Sequence, residues 1–255
     1  MPRHESSPPA ASAAGQPGDG AHGGGLNDGG LSGDGLNDGG LNDGGLRWDA
    51  IIVAGGRAKR LGGIDKTALV WQGRSLLDGV VAAASGARRT CVVGSDADLP
   101  ASVLRAVERP RWGGPAAAIV AGLEALAGDS AAGTDWVLVL AGDLVHADAA
   151  VGLLLDTAAG LTADELTADG LISVDPDGRR QPLLAVYNRA ALVSSALLRP
   201  ADNLSVMSLI GGLNLVELPL PGALGDDVDT PADAARLGIV LPAAAPPPTT
   251  PQSER

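Results

Sequence analysis

Residues 50–66 read AIIVAGGRAKRLGGIDK, a short apolar run followed by a loop rich in glycine and cations. The run Ala50–Val53 is typical of a buried β-strand. Gly55, Gly56 and Gly62 lack side chains, so backbone N–H groups in the loop can approach a ligand closely. A glycine-rich turn of this kind, with cations in it, is typical of a phosphate-binding loop. The stretch therefore predicts a phosphate cradle at the end of the first strand.

The order of residues separates this loop from two other phosphate-binding loops. A P-loop ends in Gly-Lys-Ser/Thr, whereas Lys66 here follows Asp65, and a dinucleotide-binding loop needs a residue between its first two glycines. The glycine pair alone would fit an ordinary tight turn equally well. Its combination with Arg60, Asp65 and Lys66 favours the cradle, while Arg57 and Lys59 are expected to face solvent.

The rest of the chain alternates β-branched runs with Ala- and Leu-rich stretches of helical length. This pattern predicts an α/β domain with a mostly parallel sheet and helices on both faces. The predicted strands are Ala50–Val53, Thr90–Val93, Val103–Val107, Trp136–Leu140, Gly170–Val174, Leu183–Tyr187 and Asn214–Glu217. The predicted helices are Ser75–Ala84, Pro115–Ala127, Ala147–Ala158, Arg189–Leu198, Leu204–Ile210 and Pro231–Leu237.

A carboxylate follows another apolar run. The sequence VLVLAGD at residues 137–143 predicts a central strand with Asp143 just beyond its carboxyl end. Ligands of open α/β sheets bind at that edge, where a carboxylate can hold Mg²⁺ against phosphates. An Asp after a strand is by itself more often a turn former. The metal assignment therefore depends on the presence of the phosphate cradle.

A second acidic segment, GDDVDTPADAA, occupies residues 225–235. Thr230 followed by Pro231 predicts a capped helix start, because Pro is tolerated at the first helical position. This leaves Asp229 available as a second metal ligand.

The overall charge and composition exclude several classes of protein. The 255 residues carry a formal net charge of -12, which argues against a nucleic-acid partner. The single cysteine, Cys91, excludes an internal disulfide and is expected to be buried in a strand. With no apolar run suited to a signal peptide or a membrane span, we expect a cytoplasmic protein.

The two ends of the chain differ in composition from the middle. Residues 1–46 contain the near-repeats LNDGG, LSGDG, LNDGG and LNDGG, and residues 241–255 are rich in Pro. Such segments bury too little apolar surface to offset their ordering entropy, so both are predicted to be disordered tails. A calcium-binding β-roll fits poorly, since it needs a nine-residue repeat. One domain is predicted at residues 47–240.

The three loop segments together resemble the molybdenum cofactor guanylyltransferase family, whose domain is the MobA-like NTP transferase domain. The family writes its loop as L-A-G-G-x-x-x-R-M-G-x-x-D-K, and this chain has VAGGRAKRLGGIDK, with Val53 for Leu and Leu61 for Met. The match spans roughly Asp49 to Leu237. The resemblance implies a single Rossmann-like, three-layer nucleotidyltransferase domain.

Three further stretches resemble the guanylyltransferase branch: ERPRWGGPAAAIVAGLEAL at 108–126, GRRQPLLAVY at 178–187 and DVDTPAD at 227–233. One stretch departs from the family. After its metal Asp the family usually has Met or Leu and then Pro-Phe, whereas Asp143 here is followed by Leu144, Val145 and His146. This departure leaves the acceptor open. His146 is more simply explained as an exposed helix-start residue than as an acceptor contact.

The resemblance implies transfer of GMP from GTP, with Mg²⁺, to a molybdopterin-type phosphate acceptor, and transient contact with other molybdenum cofactor proteins. Lys66 and Arg60 are the implied catalytic residues, for the α-phosphate and the leaving pyrophosphate. Asp143 and Asp229 are the implied metal ligands. The implied nucleotide-binding residues are Val53, Ala54, Gly55, Gly56, Arg60, Gly62, Asp65, Lys66, Glu108, Gly114, Pro115 and Asp143.

Two alternatives stay open at this point. One is a cytidylyl- or other nucleotidyltransferase that acts on a different phosphorylated acceptor. The other is a non-catalytic, nucleotide-binding relative.

Overall fold

The computed structural model of the chain describes residues 46–55, 65–127, 134–161, 168–226, 228 and 230–241. Apart from Leu46 and Leu241, both predicted tails lie outside these ranges. So do the middle of the glycine-rich loop, with Gly56, Arg60 and Gly62, and the predicted metal ligand Asp229.

All the predicted strands and helices are present. The strands are β1 Trp48–Val53, β2 Val70–Trp71, β3 Arg74–Ser75, β4 Thr90–Val93, β5 Val103–Ala106, β6 Trp136–Ala141, β7 Gly170–Val174, β8 Arg180–Asn188 and β9 Leu215–Pro219. The helices are α1 Leu76–Ala83, α2 Pro115–Leu126, α3 Ala147–Ala159, α4 Arg189–Ala196, α5 Val206–Leu209 and α6 Pro231–Arg236.

The main sheet has seven strands in the order β5-β4-β1-β6-β8-β7-β9. Neighbouring strands run parallel except at β8, which is antiparallel to both β6 and β7. The reversal follows from the short link between β7 and β8, where the Asp175 N–H donates to the Arg179 carbonyl at 2.9 Å. Gly178 supplies the positive φ of +80° that this turn requires. The prediction of a mostly parallel sheet is confirmed.

Helices cover both faces of the sheet, as predicted. Ala50 and Ile52 of β1 pack with residues of α1 and α3, whereas Ile51 and Val53 pack with residues of α2, α4 and α5. This alternation is the two-residue period of a strand buried on both sides. Both clusters are built mainly from Ala, Val, Leu and Ile, so the three-layer fold needs no Phe.

A small hairpin that was not predicted from the sequence connects the first loop to α1. Strands β2 and β3 pair antiparallel around Gln72 and Gly73, which have φ angles of 49° and 86°. Two central residues with positive φ are typical of the tight turns that join hairpin strands. The hairpin carries Trp71 next to the loop that follows β6, where its ring meets that of His146.

Across the described ranges, no helix combines the length and the apolar character needed to cross a membrane.

Candidate functional site

The ends of the parallel strands bring three loops together at one edge of the sheet. The Ala54 N–H, just after β1, donates to the Val93 carbonyl of β4 at 2.9 Å. The Gly142 N–H, just after β6, donates to the Val53 carbonyl at 2.9 Å. The beginnings of the cradle and of the Asp143 loop are therefore tied together by the backbone itself.

Glycines allow these backbones to approach closely. A Cβ atom placed on Gly94 would lie 2.7 Å from the Gly55 Cα, and Gly94 has a φ of +85°. Real Cβ atoms do not tolerate such a distance, so a side chain at Gly94 would push the cradle away from β4. Gly55 is exposed at the start of the cradle, where its backbone can meet a ligand.

Asp65 holds the conformation of the residue that follows it. Its Oδ1 accepts hydrogen bonds from the Thr67 N–H at 3.0 Å and from the Thr67 hydroxyl at 2.7 Å. These bonds cap a 3₁₀ turn that covers Lys66–Ala68. Asp65 therefore orients Lys66.

Lys66 and Asp143 come together across the site. Lys66 Nζ lies 3.9 Å from Asp143 Oδ2, and the two side chains are 19% and 20% exposed. A cation and a carboxylate with partial access to solvent can both reach a phosphorylated ligand at this edge. Lys66, predicted to be catalytic, and Asp143, predicted to bind a metal, are therefore neighbours in the structure.

Asp143 is a candidate ligand for a metal ion at this edge of the sheet. In the part of the chain that the structure describes, no group of three His, Cys, Asp or Glu residues could enclose a metal ion. Mg²⁺ typically takes one or two protein carboxylates and fills its other positions with phosphates and water. Asp143 can supply such a carboxylate.

The second acidic segment is fastened to the loop that carries Asp143. The Val145 N–H donates to the Asp226 carbonyl at 3.2 Å, and Val228 is buried in the same apolar cluster as Val145. Thr230 begins α6 with the predicted cap, since its hydroxyl accepts from the Asp233 N–H at 3.2 Å. The described part of this segment is therefore next to the predicted metal loop.

His146 stands at the start of α3, as expected, but it is only partly exposed. Its ring meets Trp71 edge-on with the ring centroids 5.1 Å apart. The aromatic contact joins the β2–β3 hairpin to the loop after β6. His146 thus packs between two elements instead of projecting into solvent.

An open pocket of about 320 Å³ lies beside the cradle. It is lined by Val53, Gly55, Glu108, Trp112, Gly114, Pro115, Ala118 and Asn203. The implied nucleotide-binding residues Val53, Gly55, Gly114 and Pro115 therefore line one pocket. Its volume is common for small-molecule sites. Trp112 and Asn203 were not predicted as lining residues.

Glu108 is the charged residue among the described residues that line this pocket. Its side chain is 6% exposed, and its Oε1 accepts from the Trp112 N–H at 3.0 Å. Its Oε2 is buried without a hydrogen-bond partner among the described residues. A buried carboxylate oxygen is stabilised by an N–H donor.

Known proteins are similar to this chain in both sequence and architecture. The family model for the MobA-like NTP transferase domain matches residues 50–211. A probable molybdenum cofactor guanylyltransferase from Bacillus cereus is 25% identical over 195 residues, which are 73% of this chain and 88% of that protein.

Solved structures show the same fold at low identity. Molybdopterin-guanine dinucleotide biosynthesis protein A from Archaeoglobus fulgidus aligns with a TM-score of 0.54 and 20% identity, over 74% of this chain and 96% of the other. An inositol-1-phosphate CTP transferase from T. maritima aligns with a TM-score of 0.55 and 14% identity, over 74% and 92% of the two chains. Since the family model covers more than half of the sequence, the chain belongs to the MobA-like NTP transferase family.

Proposed function

We propose that this nucleotidyltransferase moves GMP from GTP to a molybdopterin-type phosphate acceptor and releases pyrophosphate. The observation that carries the proposal is the 3.9 Å approach of Lys66 to Asp143 at the carboxyl ends of β1 and β6. A cation for the phosphates and a carboxylate for their metal are the two groups that such a transfer needs side by side.

The reaction forms one bond and breaks one. An oxygen of the acceptor phosphate attacks the α-phosphorus of GTP, and the bond from that phosphorus to the bridging oxygen breaks as pyrophosphate leaves. The attacking phosphate oxygen is already ionised, so no protein base has to remove a proton from it. Positioning and neutralisation of charge are therefore the main tasks of the protein.

Each of the named residues has one task in this scheme. Lys66, oriented by the cap at Asp65, neutralises charge that accumulates around the α-phosphorus during attack. Asp143 holds Mg²⁺, which when bound supplies further positive charge against the triphosphate. Asp229 as a second ligand and Arg60 as the contact to the leaving pyrophosphate remain proposals from the sequence.

Glu108 Oε2, which has no hydrogen-bond partner among the described residues, supports guanine as the base. Guanine presents two adjacent N–H groups, on N1 and N2, to one carboxylate. Adenine and cytosine each place an unprotonated ring nitrogen beside their amino group, so the same approach would bring that lone pair against the carboxylate. Since Glu108 Oε2 is buried and the described part of the chain offers it no hydrogen-bond partner, this difference should be large.

Transfer from CTP is the competing function, favoured by the fold shared with the CTP transferase of T. maritima. Thermal shift with each NTP and Mg²⁺ separates the two functions, and pyrophosphate release with a molybdopterin-type acceptor then tests turnover. Stabilisation and turnover with GTP alone support the proposal. A response to CTP without one to GTP would replace it, and nucleotide binding without any pyrophosphate release would indicate a non-catalytic relative.

A further inference from the structure

Trp112 is a large aromatic residue at the edge of the pocket that contains Glu108. Its side chain is 46% exposed, and it lines the pocket together with small residues such as Gly55 and Ala118. A flat indole beside a buried carboxylate combines a stacking surface with a hydrogen-bond acceptor. This combination suits a planar base, because the face of the base can stack on the indole and its edge can donate a hydrogen bond to the carboxylate.

The backbone at Trp112 is in a conformation that an indole does not favour. Trp112 has a φ of +71°, and Asn203, which lines the same pocket, has a φ of +54°. The Trp112 N–H donates to Glu108 Oε1 at 3.0 Å, and the Asn203 N–H donates to the Gly113 carbonyl at 2.7 Å. Asn tolerates the left-handed region well, whereas Trp rarely adopts it, so the strain in this pair is at Trp112.

Arg111 covers part of the indole from another side. Its guanidinium carbon lies 5.5 Å from the centroid of the Trp112 ring, within the range of a cation–π contact, and its NH2 group lies 3.5 Å from Asp96 Oδ2. Among the described residues that line the pocket, Trp112 is present and Arg111 is not. Trp112 therefore lines the pocket and has Arg111 as a cationic neighbour.

We propose that the base of the bound nucleoside triphosphate stacks on Trp112 while its edge donates hydrogen bonds to Glu108. This inference rests on the proposed nucleotidyl transfer and assigns a residue to recognition of the base rather than of the phosphates. A purine overlaps the indole more than a pyrimidine does, so the stack adds to the preference for GTP. Trp112 thereby increases the affinity for the base, whereas Lys66 neutralises charge at the α-phosphorus.

Equilibrium dialysis of the full chain with Mg²⁺ tests the stack with two probes, GTP and inorganic tripolyphosphate. Trp112→Ala should raise the Kd for GTP by about 10-fold, and Trp112→Phe by less than about 3-fold, since phenyl rings also stack. Neither variant should change the Kd for tripolyphosphate, which has no base. This contrast separates loss of a stack from general damage to the site.

Tryptophan fluorescence supplies a second readout. GTP should quench the emission of the wild-type protein, and Trp112→Phe should abolish the quench. The matched control is Trp136→Phe, because Trp136 begins β6 at the opposite end of the strand from Asp143 and its removal should leave the quench intact. Trp112→Gly should bind GTP as weakly as the Ala variant while its Tm stays equal or rises, since glycine adopts this φ without strain.

The outcomes distinguish this inference from the function on which it rests. GTP binding by the wild type, with an unchanged Kd in Trp112→Ala or an equal loss for tripolyphosphate, would overturn the stack and leave nucleotide binding in place. A clear drop in the Tm of Trp112→Gly would overturn it too, because the indole would then serve stability. Failure of the wild type to bind any NTP would instead remove the proposed function itself.

Discussion

Lys66 Nζ lies 3.9 Å from Asp143 Oδ2, although the first residue follows the glycine-rich loop after β1 and the second follows β6. The contact exists because β1 and β6 are parallel neighbours in the sheet. Both side chains of the pair are mostly buried, with exposed fractions of 19% and 20%. Under the proposed function, a bound triphosphate would give Lys66 a partner of opposite charge, and Mg²⁺ would do the same for Asp143.

Replacement of Asp143 should remove activity and leave the fold intact. We expect Asp143→Ala to slow pyrophosphate release by at least about 1000-fold, because a lost metal clamp costs several kcal/mol in the transition state. The Tm should fall by no more than about 5 °C, since the change removes one partly buried ion pair and leaves the core in place. Asp143→Asn is the matched control. Its side chain has the same shape as Asp but carries no charge, so this variant should be nearly as inactive as Asp143→Ala. Activity within a few-fold of the wild type would show that Asp143 is not a metal ligand.

Lys66→Ala should depress kcat more than it raises KM for GTP. Charge around the α-phosphorus is greatest during attack, so its loss is felt in the transition state more than in the bound substrate. We expect kcat to fall by about 100-fold and KM to rise by less than about 3-fold. Steady-state kinetics decide the matter, and equal effects on both parameters would place Lys66 in ground-state binding instead.

Arg60, which lies outside the described residues, should behave in the opposite way. Its predicted partners are the terminal phosphates, which are charged both before and during attack, so Arg60→Ala should raise KM for GTP by about 10-fold or more. Arg60→Lys should recover only part of that loss, because an ammonium group lacks the guanidinium fork that matches phosphate oxygens. Unchanged kinetics in both variants would argue against the cradle.

The residues of the site differ in how far the sequence predicts them. Lys66 and Asp143 each follow a recognisable apolar run, so each can be assigned separately, but their contact depends on the strand order, which no local pattern encodes. The antiparallel direction of β8 was open to prediction, since the Pro176-Asp177-Gly178 turn signal precedes it closely.

Other parts of the site carry no local signal. Asn203 reaches the pocket from the loop between α4 and α5, and only tertiary packing brings that loop to Gly113. Asp65 belongs to the cradle motif, yet its hydrogen bonds to Thr67 show a structural task that the motif alone does not reveal. Trp112 is visible in the sequence as an aromatic in a Gly-Pro-rich loop, but its φ of +71° is not.

Cys91 should be unreactive in the native protein. It is fully buried in β4, as the sequence predicts, and burial raises the pKa of its thiol to about 11. The thiolate is the reactive form, so at pH 8 only about one thiol in a thousand is ionised. Titration with a thiol reagent should give almost no reaction in native buffer and one thiol per chain in denaturant. Fast stoichiometric labelling of the native protein would contradict the burial.

A cluster of charges at the other end of β1 provides the last prediction. Asp49 is fully buried, with its Oδ1 3.4 Å from Arg88 Nε and its Oδ2 3.8 Å from Arg89 NH2. The guanidinium of Arg189 also pairs with this carboxylate, and the Thr134 hydroxyl donates to it at 3.1 Å. The three arginine side chains are 19% to 30% exposed, so solvent screens the cluster only in part.

Asp49→Asn should therefore lower the free energy of unfolding by about 3 kcal/mol, because it leaves three partly buried cations without their carboxylate. The matched control is Asp148→Asn, which breaks an exposed ion pair with Arg74 at 2.7 Å and should cost less than about 1 kcal/mol. Urea denaturation of both variants measures the difference, with a lower midpoint and an unchanged slope expected for Asp49→Asn. Equal losses at the two positions would mean that burial adds nothing to the Asp49 cluster. Because the cluster lies at the amino end of β1, away from Lys66 and Asp143, KM and kcat of the folded Asp49→Asn protein should stay close to those of the wild type.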